Sequence, residues 1–135
     1  LRMDRICENT MAVAKFLKAH PKVTWVNYAG LPDHPDHALV QSLMGGRASG
    51  LLTFGVQGGR AAGERSLDAL QLFTRLVNIG DVRSLATHPA STTHRQLSPE
   101  ELIRSGVSEE TVRLCEGIEH IDDLRDDLTQ ALAAA

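Results

Sequence analysis

The stretch Asn78–Asp123, NIGDVRSLATHPASTTHRQLSPEELIRSGVSEETVRLCEGIEHIDD, decides how this chain is read, and Arg113 lies at the heart of it. Thr111-Val112-Arg113-Leu114-Cys115 alternates like a half-buried strand, with Val112 and Leu114 on one face and Arg113 on the other. A guanidinium between two apolar neighbours is a costly choice for packing alone, because arginine is rarely enclosed without a partner. Its planar fork suits a carboxylate gripped bidentately. That carboxylate could belong to the protein or to a ligand, and the strand pattern leaves both open.

Working outward, Ser98-Pro99-Glu100-Glu101 is a capping box with proline at the first helical position, so a short helix starts there. Short β segments are expected near Leu76–Ile79 and Ser84–Thr87. Downstream, Ile121, Leu124, Leu128 and Leu132 form one helical stripe opposite Asp122, Asp123, Asp126 and Asp127, with aspartates near the positive end of the helix. Upstream, Ile6, Thr10, Val13 and Leu17 recur at helical spacing until Pro21. Val23–Tyr28 and Leu51–Val56 read as strands. A second helix is expected over His34–Leu43, with Asp33 as N-cap, and a third from about Arg60 to Phe73. Strands separated by helices give a two-layer α/β (α+β) domain with a short mixed or antiparallel sheet covered by helices.

The chain has 135 residues, enough for a single core. A net charge of -3 and an aromatic fraction of 4% argue against nucleic acid as a partner. No run of apolar residues is long enough to span a membrane. There is no signal-peptide pattern, and a cytoplasmic location with Cys7 and Cys115 reduced is expected. The chain starts with Leu1 inside an apparent helix rather than with Met, which suggests a piece of a longer polypeptide. Of the histidines, His34 and His37 share a helix and His88 and His94 a loop, but no third metal ligand stands at suitable spacing, so no metal is expected. Gly55-x-x-Gly58-Gly59 lacks phosphate-loop spacing, and Ser91-Thr92-Thr93-His94 lacks a nucleophile elbow.

Several motifs together resemble one family. They are Asn78-Ile79-Gly80-Asp81, Ser84-Leu85, His88-Pro89-Ala90-Ser91-Thr92-Thr93-His94, Arg113-Leu114, Gly117-Ile118-Glu119 and Asp122-Asp123-Leu124. In this order they resemble the C-terminal end of the Cys/Met-metabolism family of pyridoxal-phosphate (PLP) enzymes. Asn78 in NIGD and the run IEHIDD resemble its O-acetylhomoserine sulfhydrylase branch most. Cys7-Glu8-Asn9, Val26-Asn27-Tyr28-Ala29-Gly30-Leu31-Pro32 and Phe54-Gly55-Val56 extend the likeness over essentially the whole chain.

The resemblance implies that residues 1–135 are the small C-terminal domain of a fold-type I PLP enzyme whose large PLP-binding domain is absent from this chain. It implies conversion of O-acetyl-L-homoserine and sulfide to L-homocysteine and acetate, in methionine biosynthesis, by a homo-oligomer, typically a tetramer. The alternatives are a cystathionine γ-synthase, cystathionine lyase or methionine γ-lyase domain, or a stand-alone binding domain of the same fold. By position, Arg113 would bind the substrate α-carboxylate, with Asn78 and Thr93 bracing it. Gly80, His88 and Pro89 would shape loops. The Schiff-base lysine is not found at Lys15, Lys18 or Lys22, so the 135-residue chain alone is expected to be inactive and to hold no PLP. That absence is the larger of two departures from the family pattern, and the other lies beside Arg113. Where the family usually reads R-L-S-V-G, this chain has Cys115 and Glu116, and period-2 alternation would turn Glu116 away from Arg113.

Overall fold

The β-rich runs assemble into one sheet because each carries an apolar side that only a second layer can cover. The computed structural model describes residues 1–135. The five-stranded sheet runs β1 (Val23–Asn27), β2 (Leu51–Val56), β5 (Thr111–Cys115), β4 (Leu85–Thr87), β3 (Thr74–Arg75). It is mixed: β3 and β4 are parallel and the other neighbours antiparallel. Helices α1 (Arg2–Lys18), α3 (Gly59–Ala69) and α5 (Ile121–Ala133) form the second layer. α5 packs against both α1 and α3, which lie on the sheet. The short helices α2 (His37–Met44) and α4 (Pro99–Arg104) complete the α/β domain.

The core holds Val13, Leu17, Leu52, Phe54, Val112, Leu114, Leu124, Leu128 and Leu132. Each large side chain enclosed here contributes about 1.5–3 kcal/mol relative to exposure. The apolar stripes expected for α1 and α5 are the ones buried. Ser98 forms the expected capping box, its Oγ accepting from Glu101 N while the Glu101 carboxylate accepts from Ser98 N at 2.8 Å.

Several expectations change. α2 begins at His37, not His34, and Asp33 does not cap it, because its carboxylate pairs with Lys18. His34 Nδ1 accepts from Asp36 N at 3.1 Å, which holds residues 34–36 in a turn. α3 ends at Ala69 instead of running to Phe73. The cause is Asp127 of α5, whose carboxylate accepts from the backbone N–H groups of Gln71, Leu72 and Phe73 at 2.8, 2.9 and 3.0 Å. Asp127 is therefore buried rather than on the polar face of α5. The β segment expected near Leu76–Ile79 lies at Thr74–Arg75. β5 is not half-buried: Thr111, Val112, Leu114 and Cys115 are all buried and Arg113 alone is partly open. Exposed large apolar side chains lie chiefly on α2 (Leu39, Leu43, Met44) and in the 76–82 segment (Leu76, Val77, Ile79, Val82), with only Met3 from α1.

Candidate carboxylate-binding site

Strand register places the site. Asn27 pairs with Thr53, Thr53 with Arg113, and Arg113 with Thr87. Directly paired residues point to the same side of a sheet, so an amide, two hydroxyls and a guanidinium form a row across four strands. The row faces away from the core rows Val112–Phe54 and Leu114–Leu52. It lies in a cleft of about 520 Å³ whose lining includes Trp25, Asn27, Thr53, Thr87, Thr93 and Arg113. Trp25 pairs with Gly55, which has no side chain to block the indole. The indole donates from Nε1 to Glu110 Oε1 at 3.1 Å, fixing that wall of the cleft.

Arg113 makes no ion pair within the protein. Its Nη2 donates to Asn78 O at 3.4 Å and to Cys115 Sγ at 3.5 Å. Nε and Nη1 have no protein acceptor. The expected neighbours are both close but differently engaged. Asn78 presents its carbonyl to Arg113, while its side-chain Oδ1 accepts from Ile79 N at 2.8 Å. Thr93 lines the same cleft, and its hydroxyl pairs with His94 Nδ1 at 2.8 Å rather than with Arg113. The strand reading did not pick out Asn27, Thr53 or Thr87, because cross-strand register is not written in any one strand.

His88 is fully buried between Ser91 Oγ on Nδ1 and Glu109 O on Nε2, both at 2.8 Å. Burial pushes its pKa below the ordinary imidazole value, so it braces the Pro89–Ser91 turn as a neutral ring. Gly63 lies against that ring where a Cβ would collide with it. Glu116 is enclosed, makes no ion pair with Arg113, and neither carboxylate oxygen finds a hydrogen-bond partner. The nearby Ser84 hydroxyl gives its one proton to Glu119 Oε2 at 2.9 Å. Burial, with the Glu119 carboxylate adding to it, pushes the Glu116 pKa up to about 8. Glu116 is thus a neutral acid near pH 7. Cys7 and Cys115 are buried free thiols.

A profile described as Cys/Met metabolism PLP-dependent enzyme matches residues 1–133. The chain belongs to this family. Within the Cys/Met metabolism family it is 51% identical to O-acetyl-L-homoserine sulfhydrylase 1 of Thermus thermophilus, over 98% of this chain and 32% of that protein. It is 47% identical to L-methionine gamma-lyase of Pseudomonas putida, over 100% of this chain and 34% of that protein. Among solved structures, an O-acetylhomoserine (thiol)-lyase assignment from Campylobacter jejuni, crystallised with N'-pyridoxyl-lysine-5'-monophosphate, superposes with a TM-score of 0.89 at 42% identity, covering 98% of this chain and 31% of that one. The chain thus spans about a third of the length of the curated relatives it matches.

The family depends on PLP, and the Campylobacter jejuni structure holds it as a pyridoxyl-lysine adduct. No lysine lines the Arg113 cleft. Lys18 pairs with Asp33, and Lys22 donates to Ala133 O and Ala135 O at 3.1 Å. Lys15 lies along α1 in a separate depression. The residues of this cleft therefore fit a carboxylate and do not fit the covalent attachment of the cofactor.

Proposed function

We propose that this chain is the substrate-carboxylate-binding domain of a PLP-dependent γ-replacement enzyme that turns O-acetyl-L-homoserine and sulfide into L-homocysteine and acetate. The observation that carries the reading is the Arg113 guanidinium, partly enclosed, free of any protein carboxylate, and with Nε and Nη1 uncommitted. A substrate α-carboxylate meeting that edge would form a charge-assisted bidentate pair. In the same row, Thr53 offers a hydroxyl and Asn27 its amide NH2 to the remainder of the substrate. Asn27 Oδ1 pairs with His34 Nε2 at 2.8 Å, and the Thr87 hydroxyl, which donates to Leu76 O at 3.2 Å, is left as an acceptor. This chain's part is to bind and orient, and fixing the carboxylate sets the direction of the Cα and its side chain toward the reacting groups. A large PLP-binding domain elsewhere in the polypeptide, and assembly into a homo-oligomer, complete this proposal.

The 47% identity to a methionine γ-lyase supports a second reading, γ-elimination from a related amino acid. The enzyme containing this domain separates the two when offered O-acetyl-L-homoserine with sulfide, the same substrate with cysteine, and L-methionine alone. Sulfide-dependent homocysteine formation is expected to dominate. Thiol release from methionine alone at a comparable kcat/KM would overturn the γ-replacement reading in favour of the lyase.

A further inference from the structure

Arg113 and Cys115 lie two residues apart on β5, so their side chains leave the same face of the strand. Both converge on a single acceptor. The Cys115 thiol donates to Asn78 O at 2.9 Å, and Arg113 Nη2 reaches the same oxygen at 3.4 Å and the sulfur at 3.5 Å. The three groups close a small ring in which the carbonyl accepts twice and the sulfur both donates and accepts. The 78–82 segment is held at its far end by Ile118 N, which donates to Val82 O at 2.9 Å, and near Arg113 by this ring; Asn78 is exposed, and Ile79 and Val82 point to solvent. The thiol itself is buried, and burial raises its pKa above the usual thiol value, so it keeps its proton and stays a donor.

We propose that Cys115 is a positioning residue for Arg113: its S–H pins the Asn78 carbonyl, and the pinned carbonyl with the sulfur fixes the Nη2 end of the guanidinium so that Nε and Nη1 face the cleft. This rests on the carboxylate reading of Arg113 given above. The chemistry needed at residue 115 is a short side chain with one donor and an acceptor lone pair. Serine meets that description, whereas alanine and valine do not. Loss of one hydrogen bond of this kind leaves the guanidinium free to sample other rotamers, and ordering it again on ligand binding has an entropic cost.

The test uses the full 135-residue chain, labelled with 15N, as wild type, Cys115→Ser, Cys115→Ala and Cys115→Val. The Arg113 Nε–Hε resonance is assigned by its disappearance in Arg113→Ala. Relaxation of that resonance reads the clamp without any ligand: ordered in the wild type and Cys115→Ser, and clearly more mobile in Cys115→Ala and Cys115→Val. The same variants in the enzyme that contains this domain then read the consequence through kcat/KM for O-acetyl-L-homoserine. Cys115→Ser is expected within about twofold of the wild type and the two non-donor variants roughly fivefold lower, the scale of one net hydrogen bond. Equal Arg113 mobility in all four proteins overturns the proposal, as does equal kcat/KM in the face of unequal mobility. A kcat/KM unchanged by Arg113→Ala removes the carboxylate reading and this inference with it, and it is recognisable as that failure because the relaxation data do not depend on the substrate. Having two non-donor variants of different size keeps the outcome readable if one of them folds poorly.

Discussion

Glu116 follows β5 and shows what a single buried group can do to the whole chain. Its folded-state pKa of about 8 lies above the ordinary value of 4.5, so between those values the unfolded chain loses the proton first. The unfolded state then binds fewer protons than the native state, and stability falls as pH rises through this window. Below about pH 4.5 the group costs nothing through ionisation, and above pH 8 the penalty is complete, on the order of a few kcal/mol. The wild-type Tm should therefore drop between pH 5 and 8.5 by more than that of Glu116→Gln, which cannot ionise. Parallel Tm curves for the two proteins would show that the carboxyl finds solvent or a partner. The family resemblance marked Glu116 as a carboxylate where R-L-S-V-G has an apolar residue, but not that it would be enclosed. Burial is the larger cause of its raised pKa, and the Glu119 carboxylate three residues on adds to it.

Elements divide by the range of the interactions that end them. The capping box of α4 was legible because Ser98 and Glu101 are three residues apart and act on their own backbone. The end of α3 was not. Asp127 stops it from more than fifty residues away, collecting three N–H donors on one carboxylate. Asp127→Ala would take the acceptor from three donors, of which Phe73 N is buried and the other two are partly so, and should destabilise the chain by about 2–4 kcal/mol, read as a loss in denaturant midpoint. Ser98→Ala should cost only about 1 kcal/mol, because its helix is short and mostly exposed. If Asp127→Ala is no more harmful than Ser98→Ala, the bridge from α5 to the 71–73 turn contributes little. The same distinction explains β5. Its period-2 pattern was plain, but its burial on both faces follows from a central place between β2 and β4.

At the scale of the molecule, the ordered motifs from Asn78 to Asp123 carried both the family and the placement of Arg113, since they describe a loop–turn–strand unit that cannot be rearranged freely. The cleft around Arg113 was only partly legible, because Asn27, Thr53 and Thr87 join it through sheet register. The lysines offer a check on what this chain does by itself. All three lie away from the cleft, with Lys18 and Lys22 already engaged. Mixing the 135-residue chain with pyridoxal phosphate should give no saturable, one-to-one visible absorption band, and such a band would contradict the assignment of cofactor attachment to other residues.

The central claim is that Arg113 grips the α-carboxylate of the substrate. Its most direct test is kcat/KM for O-acetyl-L-homoserine with sulfide in the enzyme that contains this domain, comparing the wild type with Arg113→Ala and Arg113→Lys. Loss of a charge-assisted bidentate pair should cost Arg113→Ala about 2–5 kcal/mol in transition-state binding. That is a fall of roughly 30- to 5,000-fold in kcat/KM. Arg113→Lys should recover only part of it, because a point charge replaces the fork. Near wild-type kcat/KM in Arg113→Ala would contradict the account.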